Sequence, residues 1–164
     1  MRKIIAFIAV IVVLAGCGGS LLPPMKDYEL NEITFKAYDG WKQETREEGD
    51  MKMVIFYPDL PWGSFALMRY GQMDGTTVYG NIKSAFPGMG NEILKEYQIE
   101  INGVKFDFFD FKNGDKQIPL KYGIMGIGSF EGFALAIQIY SDFQGYDHEE
   151  NAELRALAET VKLK

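Results

Sequence analysis

The segment Val104 to Lys112, VKFDFFDFK, leaves few folds open to this chain. Read as a strand, its side chains alternate, so Val104, Phe106 and Phe108 point one way while Phe109 and Phe111 point the other. Both faces carry rings to bury, and a sheet built on such a strand must be covered on both sides. FALAIQIY, from Phe133 to Tyr140, repeats the demand in another form: Phe133, Leu135, Ile137 and Ile139 share one face, while Ala134 and Ala136 leave room on the other for a close-packed helix.

The rest of the chain supplies the sheet and its covers. Short β-rich runs at Glu32 to Ala37, Trp41 to Glu44, Met51 to Tyr57 and Ser64 to Gln72 are separated by Asp39-Gly40, Gly49-Asp50 and a loop from Pro58 to Gly63, which predicts an antiparallel meander. Val78, Ile82 and Phe86 then recur at helical spacing until Pro87-Gly88 stops them. Asn102-Gly103 joins Glu92 to Ile101 with Val104 to Lys112 in a hairpin, since a type I′ turn wants positive φ at both central residues. A second pair, Lys121 to Ser129 and Phe133 to Ser141, turns at Phe130 to Gly132. Asp147 stands where it can cap a closing helix with Glu150 at N3 and Leu154, Leu157, Ala158 and Val161 on one stripe. The expected fold is α+β: an α/β/α sandwich on a mostly antiparallel sheet, with one helix inserted after the fourth strand and one at the C-terminus.

The first residues read as an export signal. Arg2 and Lys3 precede an uninterrupted apolar run from Ile4 to Leu14, and Gly18-Gly19 ends the run well short of the about 20 residues that span a bilayer. Leu14-Ala15-Gly16-Cys17 resembles the lipobox of bacterial lipoproteins, in which the cysteine is diacylated and becomes residue one after cleavage. Two acyl chains satisfy the two-signal requirement for stable anchoring. The expected layout is a signal peptide over residues 1–16, a lipidated cysteine and linker over 17–31, and one domain over 32–164. Cys17 is the only cysteine, so no internal disulfide is available.

Losing the two basic residues of the leader leaves 15 basic against 23 acidic side chains, a formal charge of −8. Nucleic acid and anionic head groups are poor partners for such a surface. Catalytic sets are scarce as well. The single histidine, His148, lies in an acidic first helical turn, and Gly63-Ser64-Phe65-Ala66 lacks the spacing of a serine nucleophile elbow. With Cys17 lipidated, the cysteine and histidine inventory for zinc is empty. DFFDFKNGD, from Asp107, misses the calcium-loop spacing, and Asp107 and Asp110 point to opposite faces of their strand. Asp147, Glu149, Glu150 and Glu153 are accounted for by the helix dipole. Gly123, Gly126 and Gly128 lie in a strand pattern with no helix N-terminus after them, which points to close backbone approach and not to phosphate binding.

ITFKAYDGWK, IEINGVKFDFFDF, FALAIQIYSD and the closing NAELRALAETVKLK are together similar to the PsbP-like superfamily, which also holds the yeast Mog-type Ran-binding proteins and several bacterial envelope lipoproteins. The resemblance spans about residues 32 to 164 and implies a small α/β/α sandwich, in agreement with the strand faces. It implies no shared catalysis, because the superfamily's members are assembly factors, extrinsic subunits and binding proteins. No partner-contacting residue of those relatives maps onto a position in this chain.

One loop is left for function. YPDLPWGSF places Leu60 and Trp62 between prolines and two strands, where they either fold back over the sheet edge or anchor a partner, tryptophan being enriched in interface hot spots. The expected protein is therefore non-catalytic, needs no metal or other cofactor, and is lipid-anchored through Cys17 on the extracytoplasmic side of the cell membrane or outer membrane. There it binds a protein partner or supports assembly of a membrane complex. Two other classes stay open: a carboxylate-dependent hydrolase of envelope glycans, whose paired acids can come from distant strands, and a small-ligand-binding lipoprotein with a pocket between helix and sheet.

Overall fold

Asn102 and Gly103 adopt φ of 50° and 82°, the left-handed pair that a two-residue hairpin turn requires. They join strands of ten and nine residues in the register Ile101 opposite Val104 and Tyr97 opposite Phe108. The computed structural model describes residues 23–59 and 62–164. Within them the chain runs β1 (Met25–Leu30), β2 (Ile33–Tyr38), β3 (Lys42–Glu48), β4 (Met51–Tyr57) and β5 (Gly63–Gly71). Helix α1 (Gly75–Ala85) and a 3₁₀ turn (Phe86–Met89) follow, then β6 (Glu92–Ile101), β7 (Val104–Lys112), β8 (Tyr122–Phe130) and β9 (Phe133–Ser141). A short 3₁₀ turn (Glu149–Asn151), helix α2 (Ala152–Glu159) and β10 (Lys162–Leu163) close the chain.

The strands form a seven-stranded sheet in the order β3-β4-β5-β9-β8-β7-β6 and a three-stranded sheet in the order β1-β2-β10, with every pairing antiparallel. This is an α+β fold on mostly antiparallel sheets with two α-helices among the described residues.

The alternation read in the sequence divides the core in two. Phe106, Phe108, Leu135, Ile137 and Ile139 face one cluster, joined there by Phe35 and Ile33 of the small sheet and by Leu154, Leu157 and Ala158 of α2. Phe109, Phe111, Ala134 and Ala136 face the other, against Val78 of α1 and Phe86. Ala134 and Ala136 lie under α1, as their size allows. Strand β8 adds Ile124 to the first cluster and Met125 and Ile127 to the second, but beneath Phe106 and Phe108 it presents bare backbone. Gly126 is the register partner of Phe108 and Gly128 of Phe106, and any Cβ at Gly126 would fall within 2.5 Å of Phe108 Cε1, so the phenyl rings lie directly over the glycine backbone.

Helix α1 begins where Asp74 accepts the Thr77 amide on Oδ1 at 2.9 Å and the Thr77 hydroxyl on Oδ2. It ends at the Pro87 turn, with Gly90 left-handed at φ 80°.

Most strand bounds fall within a residue of the sequence expectation, and the larger differences are at β1, β3 and the last helix. Residues 25–30, read as linker, form β1, whose partner is β2 from Met25 opposite Tyr38 to Leu30 opposite Ile33. The domain therefore begins ahead of residue 32, and α1 follows the fifth strand instead of the fourth. β3 extends from Lys42 to Glu48, past the expected end at Glu44, because β4 pairs with it throughout. Asp147 does not cap the last helix: a 3₁₀ turn precedes α2 and is capped by His148, whose Nδ1 accepts the Glu150 amide at 3.2 Å, while Asn151 stands at the N-cap of α2 without a side-chain cap bond. The chain then adds β10 against β2, with Lys162 opposite Thr34.

Candidate functional site

Helix α1 is too narrow to cover its side of the seven-stranded sheet. It packs over β8 and β9 and its cluster takes in Met68 of β5, and among the described residues β3, β4 and the first half of β5 have no helix above them on that face. Register fixes which side chains are left there. Val54 and Phe56 of β4 enter the opposite core, so Met51, Met53, Ile55 and Tyr57 point to the uncovered side, and all four are half-buried. Beside them β5 presents Ser64 and Ala66, whose partners on β9 are Tyr140 and Gln138. β3 contributes Lys42, Glu44, Arg46 and Glu48, opposite Tyr57, Ile55, Met53 and Met51 in turn.

All of these but Met51 and Glu48 line an open groove of about 700 Å³, walled on its far side by Ile118, Pro119 and Leu120. The wall is a built loop and not a loose one. Asn113 Nδ2 donates to the carbonyls of Ile118 and Leu120 at 3.2 and 2.8 Å, while Asn91 Oδ1 accepts the Gly114 amide at 2.8 Å. A second open concavity of about 490 Å³ continues along the same face beside α1, lined by Met51, Tyr70, Met73, Val78 and Ile82. The floor is thus methionine, isoleucine and tyrosine over small residues, a surface that adapts its shape to what covers it.

Its charges are held at the rim. Lys42 Nζ lies 2.8 Å from Asp59, and that carboxylate raises the Lys42 pKa. Arg46 Nη2 lies 2.7 Å from Glu44. Inside the groove Gln138 Nε2 donates to Tyr140 Oη at 3.0 Å, and burial, with Asp115 adding to it, pushes the Tyr140 phenol up to about 12, so it stays neutral and available as a donor. Chemically the groove offers apolar contact and a few neutral hydrogen-bonding groups. One further acid, Asp115, lines it from the loop wall.

The residues singled out in the sequence lie elsewhere. Cys17 and Leu60 fall outside the described residues. Trp62 is half-buried and packs on the core, its ring edge-on to Trp41 at 5.4 Å, while Trp41 in turn leans on Tyr38 at 5.2 Å. Its free side meets a shallow concavity of about 410 Å³ lined by Phe143, Glu149, Glu150 and Glu153. His148 is exposed, spends Nδ1 on its cap and stacks on Phe143 at 5.1 Å. Asp107 accepts Gln98 Nε2, whereas Asp110 on the other face is only 3% exposed and accepts the Tyr97 hydroxyl. Among the described residues no three histidine, cysteine or acidic side chains gather as a metal set.

Sequence reasoning missed the groove, although one signal pointed to it. MKMVIFY is apolar on both faces, yet the sequence offers one helix for each side of the sheet, and the helix on this side must also cover β7 and β9.

No family model matches the sequence, and no curated protein matches it. Among solved structures the chain is similar to the solution structure of cyanobacterial PsbP (CyanoP) from Synechocystis sp. PCC 6803, with a TM-score of 0.60 at 12% identity, over 93% of this chain and 99% of that one. At that identity the likeness is one of fold: the chain has a PsbP-like fold.

Proposed function

We infer that this chain is a non-catalytic, lipid-anchored protein of the extracytoplasmic membrane surface, which uses the open sheet face beside α1 to hold a protein partner or to support assembly of a membrane complex. In this reading the layers make an α/β/α sandwich with one outer layer incomplete, and the partner supplies the missing part. The observation that carries it is the row Met51, Met53, Ile55 and Tyr57, only half-buried on a face where β8 and β9 are covered by a helix. An apolar row of this kind rimmed by ion pairs has the anatomy of an interface, apolar at the centre and polar at the edge. Its openness along one side suits a macromolecule better than a small ligand held in a closed cavity. Of the three acids lining the groove, Glu44 and Asp59 are each engaged by a cation, which leaves only Asp115 without an ion pair among the described residues and favours binding over two-carboxylate chemistry there. The lipobox resemblance at Cys17 supports the anchor, and the PsbP-like fold accords with the binding and assembly roles that the sequence resemblance implies.

The test is site-specific photocrosslinking in cells. A photoreactive side chain at position 55 should give one discrete protein adduct, and the same group at Glu131, in the exposed β8–β9 turn, should give none. Identical adducts at both positions, or no adduct at position 55, would remove the proposed face from the function.

A further inference from the structure

The two edges of the seven-stranded sheet are finished differently. β6 carries a register shift between Ile93 and Lys95, and a bulge of that kind turns an edge away from further pairing. β3, at the other edge, has none: its seven residues pair with β4 in unbroken register from Lys42 opposite Tyr57 to Glu48 opposite Met51. It contains no proline, and six of its seven residues are exposed. Its outer row of main-chain groups has no partner strand among the described residues.

The charges along β3 are arranged in a particular order. Lys42, Glu44, Arg46 and Glu48 share one face, and Gln43, Thr45 and Glu47 share the other. If a second β3 is laid antiparallel beside the first about a two-fold axis at Thr45, Lys42 meets Glu48 and Glu44 meets Arg46, and each contact occurs twice. Gln43 meets Glu47, and Thr45 meets its own copy. Every charged residue on the shared face thus finds the opposite sign, and threonine pairs with threonine, both favourable cross-strand combinations. Such self-complementarity is what a two-fold interface demands, because residue i contacts j and j contacts i. A charge row that served only to repel other edges would place like signs together in this register.

We propose that β3 is a homodimer interface, and that a second copy of this chain adds its own β3 antiparallel about Thr45, extending one sheet into the other. A two-fold axis perpendicular to the sheet keeps like faces together. The two rows Met51, Met53, Ile55 and Tyr57 then lie on the same side of a continuous sheet, with four strands between their far edges. The proposal rests on the edge and its charges alone, and stands whether or not the open face binds a partner.

Cysteine crosslinking in the full chain tests the register. Cys17→Ser leaves the introduced thiol as the only one. Thr45→Cys should oxidise to a disulfide-linked dimer, because residues directly opposite on antiparallel strands have Cβ atoms about 5 Å apart. Lys42→Cys should not, since the two copies of position 42 would sit about 20 Å apart, but a mixture of Lys42→Cys and Glu48→Cys chains should crosslink to each other. Sedimentation tests the charges. Glu44→Arg, which sets Arg against Arg46 twice, should weaken dimerisation about tenfold or more, and adding Arg46→Glu should restore it. Equal crosslinking at positions 45 and 42, or a chain that sediments as a monomer throughout, would overturn the proposal. So would a charge swap that fails to restore what Glu44→Arg removes.

Discussion

Tyr97 donates its hydroxyl to Asp110 Oδ1 at 2.6 Å across the paired strands β6 and β7, and so caps a carboxylate that is almost entirely buried. Burial raises the Asp110 pKa, and the nearby Asp147 adds to the effect, against the Tyr97 hydrogen bond and the Lys95 charge, which lower it. A folded-state pKa above the unfolded one means that the native protein takes up a proton first. The ionised carboxylate therefore costs stability at neutral pH, and the cost is relieved as pH falls through the raised value. Asp110→Asn keeps an oxygen for Tyr97 and removes the charge, so it should melt at the same or a higher temperature at pH 7 and flatten the pH dependence just above the usual carboxylate range. Asp110→Ala should instead lose about 1 kcal/mol by leaving the Tyr97 hydroxyl without its acceptor. Thermal melts of the three proteins from pH 4 to 8 check both.

Gly126→Ala places a methyl group where the Phe108 ring lies. With both strands held in the middle of the sheet, the expected loss is about 1 to 3 kcal/mol, read from denaturant midpoints. Phe108→Leu in the same chain should recover part of it, whereas Phe108→Leu alone should destabilise. Additive losses would mean that ring and glycine are not in contact.

Trp62→Ala should lower stability by about 1 to 2 kcal/mol, less than a fully buried tryptophan costs, because one side of the ring faces the acidic concavity. Trp41→Ala should cost a comparable amount. Since the two rings meet edge to face, the double variant should lose less than the two single losses combined, by about 0.5 to 1.5 kcal/mol. An unchanged melting temperature for Trp62→Ala together with loss of the photocrosslinked adduct would return this residue to the role of a partner anchor.

Cys17→Ser should abolish membrane anchoring. Wild type should partition into detergent and appear in the membrane fraction, and the variant should remain aqueous. Equal partitioning of the two would show that something other than an acylated cysteine holds the protein.

The parts of this fold that could be read in the sequence are those whose signal is local. Asn102-Gly103 specifies its own turn, and the alternation of Phe106, Phe108 and Phe109 already states that two layers must cover β7. The closing stripe of Leu154, Leu157, Ala158 and Val161 is likewise complete in itself, and all four side chains are buried. β1 was not legible because MKDYEL has only Leu30 fully buried, and its extended state comes from pairing with β2. Asp147 does not cap the closing helix because a 3₁₀ turn capped by His148 comes first and moves the start of α2 to Ala152, which neighbouring polar residues do not encode. The groove was hidden for a geometric reason. Met51, Met53, Ile55 and Tyr57 look like ordinary core residues until the position of α1 over β8 and β9 leaves them outside its shadow.

The strand order β3-β4-β5-β9-β8-β7-β6 divides the large sheet into two meanders, each made of strands adjacent in sequence, and β5 against β9 is the single seam between them. Each meander can zip from a short turn outward at little loop-closure cost, but the seam must bring Gly63 to Ser141 and Gly71 to Phe133 across the whole of the intervening chain. The slow step in assembling this sheet is therefore one search and not six, and its rate belongs to the β5–β9 contacts. A break in the backbone between β5 and α1 would leave both meanders locally whole, so two separately made pieces of the protein have a physical route to finding each other and rebuilding the sheet along that line.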